Sequence, residues 1–451
     1  MTSILIKNGY IATMNKERRV YERGSLYIED DRIISVGRKV KAPSPDYVID
    51  ADHKVVLPGF VNTHAHLQQY FRGVYELIGD FYKVNLPLEM YRRPEDMEWL
   101  GLSSCAELIY GGCTTTTIIY TYPDGFAKAV EKAGNRVILG ADIEEVDLGK
   151  LREGVYEYLP EKGEAAFKRA VNLYRRWHNK AEGRIKTIMA PKAPDLTRPE
   201  TYLRCKEFAE EKGLKITTHL SQSRREVKQV KKLYGKTPPK HLYDIGLLNE
   251  HLVSAHCTYI TEEDLQLIRK NGMGILHCRA VTNPFTRWID LGIPVGLGTD
   301  DYFHDMLQLL RQNITACDVL RRLGMQGTSR RPTLYELLEL ATRRGAEVMG
   351  IGDEVGSLDP GKKADVIIID MMNPYLTPTM DPLTSVILYG SPSDIDTVIV
   401  DGKILKINGQ LTTINLREAL LKAQKRVEEI IERFFEDNPD QKRLWEKRRL
   451  E

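Results

Sequence analysis

Two histidines one residue apart, His64 and His66, close the stretch Leu57-Pro-Gly-Phe-Val-Asn-Thr-His-Ala-His66. The apolar run Val55–Val61 before them reads as a buried strand. Side chains alternate faces along a strand, so the two imidazoles point the same way. Such a pair can share a metal ion, or can hydrogen-bond at a strand tip with no ligand. Further down the chain, other apolar runs also end in polar residues: Thr217-Thr-His219, Ser254-Ala-His256, Leu276-His277 and Thr299-Asp300. Of the ten histidines, six (64, 66, 219, 256, 277 and 304) sit at or just past such ends. Chance placement does not explain that concentration, and it points to a metal site. His53, His178, His241 and His251 fall elsewhere and read as surface or turn residues. No His-Glu-x-x-His pattern is present, nor a His-x-Glu with Pro-Cys-x-x-Cys. The six cysteines (105, 113, 205, 257, 278 and 317) form no Cys-x-x-Cys pair. They argue against a cysteine zinc site or a disulfide scaffold, and for a reducing cytoplasm.

Elements must bring these residues together. Residues 3–55 alternate apolar and polar positions around Asn-Gly and Asp-Asp turns, as short strands do. From about 57 to 350, short apolar runs alternate with charged segments of helical period. The runs are Val55–Val61, Thr114–Ile119, Arg136–Ala141, Ile185–Ala190, Lys215–Thr218, Leu252–Ala255, Gly274–Leu276 and Val295–Gly298. Between them lie helical stretches such as Pro94–Tyr110, Gly125–Ala133, Gly163–Lys180, Pro199–Lys212 and Thr261–Lys270. Eight strands alternating with helices predict an α/β chain folded as a (β/α)8 barrel, whose active site forms at the strand C-terminal ends. The tail after Leu416 has an amphipathic helical pattern (Leu420, Ala423, Val427, Ile430, Ile431, Phe434), suited to packing on the protein or on a neighbouring subunit.

Composition excludes several functions. The chain has 451 residues and a formal net charge of +2, so no charged surface for nucleic acid is indicated. No apolar run approaches the roughly 18–20 residues that span a bilayer. The first residues lack the basic segment and long apolar core of a signal peptide.

The residues at the strand ends sit within longer motifs. These are Pro58-Gly-Phe-Val-Asn-Thr-His-Ala-His66 followed by Phe71-Arg-Gly73, Gly111-Gly-Cys-Thr-Thr-Thr116, His219, Ala255-His256-Cys257 and Gly296-Leu-Gly-Thr-Asp300. Beyond the barrel lie Gly356-Ser-Leu-Asp-Pro-Gly-Lys-Lys-Ala-Asp-Val-Ile-Ile-Ile-Asp370 and Val398-Ile-Val-Asp-Gly-Lys403. With them the chain resembles the amidohydrolase superfamily, in the branch of cytosine and guanine deaminases, adenosylhomocysteine/methylthioadenosine deaminases and triazine hydrolases. The resemblance covers roughly residues 3–410. It implies a TIM barrel over 57–354, a small composite β-sandwich domain from 1–56 and 355–412, and a C-terminal helical tail over 413–451. It also implies a homo-oligomer, dimeric or larger.

For the site, the resemblance implies one divalent ion, zinc or iron, held by His64, His66, His219 and Asp300. A water activated by the metal would attack; Asp300 would accept its proton and His256 would hydrogen-bond the reacting centre. Substrate contacts are expected from Gln68, Glu89, Lys192, Gln222, His277 and Asp301. Two residues depart from the deaminase pattern. Deaminases of this branch carry His-x-x-Glu after strand five, whereas this chain has His219-Leu-Ser-Gln222. A neutral glutamine cannot donate the proton, and general acid–base help is typically worth about 10²–10⁴ in rate. Asp301, Glu226 and His304 are the candidate replacements. Ala190-Pro-Lys-Ala-Pro194 stands where nucleoside-type deaminases have Pro-His-Ala-Pro, so Lys192 either meets a substrate carboxylate or phosphate or lies in solvent. Leu86-Pro-Leu-Glu89 resembles the Pro-x-Glu whose acid grips ribose hydroxyls, in a shortened loop. The expected function is metal-dependent hydrolysis of a C–N bond, deaminating an amino-substituted N-heterocycle. The alternatives are hydrolytic removal of another leaving group, such as chloride, from a similar ring, or a non-catalytic binding protein.

Overall fold

Gly59 divides what the sequence presents as one apolar run. Lys54–Pro58 ends in a sheet outside the barrel, and Phe60–Ala65 opens the barrel. A Cβ at position 59 would lie 2.1 Å from the Thr114 side chain, so only glycine passes there. The single strand expected over Val55–Val61 is therefore two strands serving two units.

The computed structural model describes residues 2–66, 72–79, 81–278, 283–301, 304–324 and 330–451. Eight parallel strands pair in chain order: β1 (Phe60–Ala65), β2 (Cys113–Tyr120), β3 (Arg136–Ile143), β4 (Ile185–Pro191), β5 (Ile216–Leu220), β6 (Leu252–His256), β7 (Gly274–Cys278) and β8 (Val295–Gly298). Every residue of β2 and β3 is buried, because helices cover one face and the barrel interior the other. That double burial makes them read as apolar runs rather than as alternation. The barrel closes where the Asp300 N–H donates to the His64 carbonyl at 3.0 Å. Beside that closure, a Cβ on Gly298 would sit 2.7 Å from the His64 Cβ, so glycine allows β8 to approach β1. Thr261 begins the helix Glu262–Asn271 with a capping box to Asp264, which ends the loop after β6.

The expected sandwich is hydrogen-bonded as one mixed sheet of nine strands drawn from both ends of the chain. At its centre Lys54–Pro58 pairs antiparallel with Val366–Asp370 and parallel with Ser3–Ala12. A separate apolar core, including Ile4, Leu26, Val56, Val366 and Ile399, lies against it. Arg136, the first residue of β3, joins barrel to sheet through buried ion pairs with Asp365 at 3.1 Å and Asp401 at 2.9 Å.

The tail forms two helices, Leu416–Asp437 and Pro439–Arg448, broken at Asn438 with proline at the first helical position. The first packs on the helix Met97–Tyr110, the second on the short helix Tyr75–Ile78. Among the described residues no helix is long and apolar enough to cross a membrane. All six cysteines are buried and unpaired with one another.

Candidate metal centre and active site

The C-terminal ends of β1, β5, β6 and β8 bring His64, His66, His219, His256 and Asp300 together. Donor atoms of His64, His66 and His219 lie within 4.8 Å of one another, as do those of His64, His256 and Asp300. The Nε2 atoms of His66 and His219 are 3.0 Å apart, and Asp300 Oδ1 is 3.7 Å from Nε2 of both His64 and His66. Atoms that each bind one ion at about 2 Å lie no more than about 4 Å apart, and these distances satisfy that limit. Asp300 and His256 adopt left-handed backbone conformations, with φ of +62° and +74°. Such conformations are strained for residues other than glycine, and here they occur where the strand ends turn their side chains into the site.

The imidazole tautomers follow from their outer contacts. His219 Nδ1–H donates to the Lys192 carbonyl at 2.7 Å, and His66 Nδ1–H to the Ile119 carbonyl at 3.3 Å. Each therefore presents an Nε2 lone pair to the other. Burial, and then the neighbouring imidazoles, hold both rings down to about 3, so neither carries a proton to bridge the gap. Among the described residues, both nitrogens of the buried His64 ring also lack a hydrogen-bond partner. Two lone pairs facing each other at 3.0 Å beside a carboxylate are electrostatically unfavourable without a cation, and three imidazoles with one carboxylate suit a divalent ion.

A cavity of about 260 Å³ opens onto this cluster. Glu89, Lys192, Gln222, His256, Asp300 and Asp301 line it. So do Tyr75, Tyr82, Leu86, Leu196 and Ser223, which the sequence reading missed. The first three come from irregular structure after β1 that has no readable period. Ser223 did carry a signal, as the cap three residues before Glu226. Gln68 lies outside the described residues.

Lys192 is neither in solvent nor a free cation awaiting a substrate anion. It is buried, with its ammonium 2.9 Å from Glu89, 2.8 Å from Glu144 and 3.7 Å from Asp142. Burial disfavours its charge, but the three carboxylates outweigh that and hold the pKa well above the ordinary lysine value. Burial likewise opposes the Glu89 charge, and Lys192 and Arg92 override it, keeping that carboxyl below the usual range. Arg92, itself buried, lies 3.3 Å from Glu89. The cavity thus presents an ionised Glu89 whose counter-ions lie in its own wall.

The three candidate proton donors separate by position. Asp301 faces the cavity, and burial together with the Asp300 charge pushes its carboxyl well above the ordinary range. Glu226 is fully buried and accepts the backbone N–H groups of Ser221 at 2.7 Å and Gln222 at 2.8 Å. It shapes the loop that presents Gln222 and does not line the cavity. His304 lies behind β8, 3.1 Å from the Thr299 hydroxyl. His277 also turns away: its Nε2 meets Asn313 Oδ1 at 2.6 Å and its ring stacks on Phe285 at 4.7 Å, within the helical layer. Of the histidines read as surface or turn residues, His241 is instead buried and stacked on Tyr234 at 3.9 Å.

Fold and site together define a (β/α)8 barrel with a candidate metal centre at the C-terminal ends of its strands. Residues 55–405 match the model of the amidohydrolase family, and the chain belongs to that family. It is 33% identical over 445 residues to 5'-deoxyadenosine deaminase of Methanosarcina mazei, covering 96% of this chain and 99% of the relative. It is also 33% identical over 442 residues to 5-methylthioadenosine/S-adenosylhomocysteine deaminase of Caldanaerobacter subterraneus subsp. tengcongensis, covering 95% and 99%. In fold it is similar to atrazine chlorohydrolase from Arthrobacter aurescens TC1 complexed with zinc, with a TM-score of 0.85, 22% identity, and coverage of 94% of this chain and 100% of that one. The chain is a hydrolase acting on C–N bonds.

Proposed function

We propose that this protein removes the amino group from the adenine ring of a nucleoside whose 5' position carries no charged phosphate. One cavity joins His66, His219 and Asp300 of the donor set to the ionised carboxylate of Glu89, and that observation carries the reading. A carboxylate with its own counter-ions accepts hydrogen bonds from sugar hydroxyls and repels a second anion. Leu86, Leu196 and Tyr82 offer apolar surface in the same cavity for an uncharged 5' substituent. Both deaminase relatives support the substrate class.

Zinc is the ion we assign to the four donors; bound there, it would acidify a water so that hydroxide is available near neutral pH. Asp300 would accept the proton of the attacking water, and His256, at the rim of the donor cluster, would hydrogen-bond the oxygen that develops charge on the ring. Gln222 orients the heterocycle through its amide, and Asp301 passes a proton to the leaving nitrogen. We further expect a homo-oligomer, on family resemblance, in a reducing cytoplasmic setting, in keeping with six unpaired buried cysteines.

Gln222 also favours a second reading, in which the leaving group departs without protonation, as chloride does from a triazine. Ammonia and chloride release from zinc-loaded protein separate the two. Turnover of 5'-deoxyadenosine or methylthioadenosine with ammonia release is expected. Chloride release from a chlorotriazine, with no ammonia from any nucleoside, would replace the first reading by the second.

A further inference from the structure

The segment that carries Tyr75, Tyr82, Leu86 and Glu89 to the cavity has no element able to stand alone. It holds the four-residue helix Tyr75–Ile78, the π-helical turn Phe81–Asn85, the three-residue helix Leu86–Leu88 and the 3-10 turn Glu89–Tyr91. Helices this short are marginal in water, so neighbours must fix their position. Some ties come from the barrel loops. Lys192 and Arg92 hold Glu89, the Ser223 hydroxyl lies 3.0 Å from the Tyr82 hydroxyl, and Arg225 stacks on the Tyr82 ring at 3.9 Å.

A second set comes from the C-terminal helices. Trp445 Nε1–H donates to the Gly73 carbonyl at 2.6 Å. Arg448 donates to the Leu77 and Ile78 carbonyls at 2.7 and 3.3 Å, at the end of Tyr75–Ile78 where a short helix leaves acceptors open and favours a cation. At the far end of the segment, Arg433 donates to the Tyr91 carbonyl at 2.9 Å and to Asp96 at 3.0 Å. The Tyr91 hydroxyl donates to Asp437 at 3.0 Å, and its ring meets Phe434 edge-on at 5.6 Å. The angle between the two tail helices is itself fixed, by Phe435 against Trp445 at 5.3 Å and by Asn438 Nδ2 donating to the Phe434 carbonyl at 2.7 Å. The tail therefore grips the wall segment at both ends, at 73–78 and at 91–96.

We propose that the C-terminal helix pair is a positioning element of the active site. Trp445, Arg448 and Arg433 fix the wall that carries Tyr75, Tyr82 and Glu89, and so set affinity for the part of the substrate that meets that wall. None of the three lines the cavity. The kinetic side of this inference rests on the deaminase reading above; the structural side does not.

The test uses the full-length zinc-loaded protein with Trp445→Phe, which keeps an aromatic ring beside Phe435 while removing the indole N–H and part of the ring's bulk, and with Arg433→Ala and Arg433→Lys. Steady-state kinetics with 5'-deoxyadenosine are compared with the affinity for free adenine, as substrate or inhibitor. Amide exchange is followed in 72–79 and 81–91. Loss of one neutral hydrogen bond predicts a KM for the nucleoside raised about fivefold in Trp445→Phe, and loss of the charged donors about tenfold or more in Arg433→Ala. The value of kcat stays within about twofold, as for loss of uniform binding, and adenine affinity is unchanged. Exchange in the wall segment quickens while the barrel strands and zinc content hold, and Arg433→Lys recovers part of the loss. An unmoved KM, or a fall in kcat and zinc together with barrel protection, would reduce the tail to ordinary packing and overturn the proposal. Should the wild type release no ammonia from any nucleoside, the deaminase reading fails by itself. Wall exchange then decides, and unchanged exchange in Arg433→Ala overturns the positioning role.

Discussion

The histidine cluster and the Lys192 cage lie at the same end of the barrel and are both buried, yet their polar atoms are satisfied in opposite ways. In the cage, Lys192 and Arg92 answer Glu89, and Lys192 also meets Glu144 and Asp142, with Lys162 a third cation 3.1 Å from Glu144. In the cluster, His66 and His219 direct lone pairs at each other across 3.0 Å, and among the described residues neither His64 nitrogen has a hydrogen-bond partner. A buried polar group left unmatched costs roughly 1–3 kcal/mol. The difference separates a site whose donor atoms face one another from a wall whose charges are paired mainly within the chain. Reading charge alone would have assigned the ligand to the lysine; reading satisfaction assigns it to the imidazoles.

That contrast can be broken at several points. The largest effect is expected on the open side. Asp300→Ala, or removal of the metal by a chelator, should lower kcat/KM by about 10³-fold or more, with zinc content falling and the barrel still folded by circular dichroism. Full turnover in the variant would remove Asp300 from the site. On the closed side, Lys192→Met should destabilise the zinc-loaded protein by about 3–5 kcal/mol in urea unfolding, because it removes the cation shared by three buried carboxylates and leaves only Arg92 beside Glu89 and Lys162 beside Glu144. A loss below about 1 kcal/mol would return Lys192 to the role of a free cation. A smaller effect is expected from Glu226→Gln, which weakens the acceptor for the Ser221 and Gln222 N–H groups: kcat/KM should fall about tenfold as Gln222 shifts.

Proton competition sharpens the comparison further. His66 and His219 lie near 3, mainly through burial, rather than near the ordinary 6.5. A depressed imidazole stays deprotonated, and able to ligate, until the pH approaches its folded value. Zinc should therefore be retained on dialysis at about pH 5.5, a unit below the ordinary titration of histidine. Loss already complete there would mean the rings are more solvated than their burial indicates. At the bottom of the scale, Lys168→Ala, which breaks an exposed pair with Glu164, should leave the melting temperature unchanged.

Much of this was legible in the sequence for physical reasons. The barrel strands bury both faces and so stand out as apolar runs, and the one-residue spacing of His64 and His66 fixes a common face. What escaped was what chain order does not encode. Gly59 is invisible inside an apolar run, because the clash that requires it comes from Thr114, 55 positions away. The cage draws members from positions 89, 92, 142, 144 and 192, and no period links them. His277 and His304 sit at or past strand ends, but a strand end gives a place and not a direction: His277 faces the helical layer, and His304 meets Thr299 without lining the cavity.

The nine-stranded sheet has a consequence for how the chain is made. Lys54–Pro58 finds one neighbour in Ser3–Ala12, but its other edge waits for Val366–Asp370. At synthesis rates of about 5–20 residues per second, that partner emerges roughly 15–60 seconds later, after the whole barrel has been translated. Through that interval a nascent chain carries an unpaired edge built from Val55, Val56 and Leu57, the kind of surface on which chains aggregate. Ribosome-bound intermediates of this protein should therefore engage holding chaperones through their first sixty residues, and release them only when the last fifth of the chain appears.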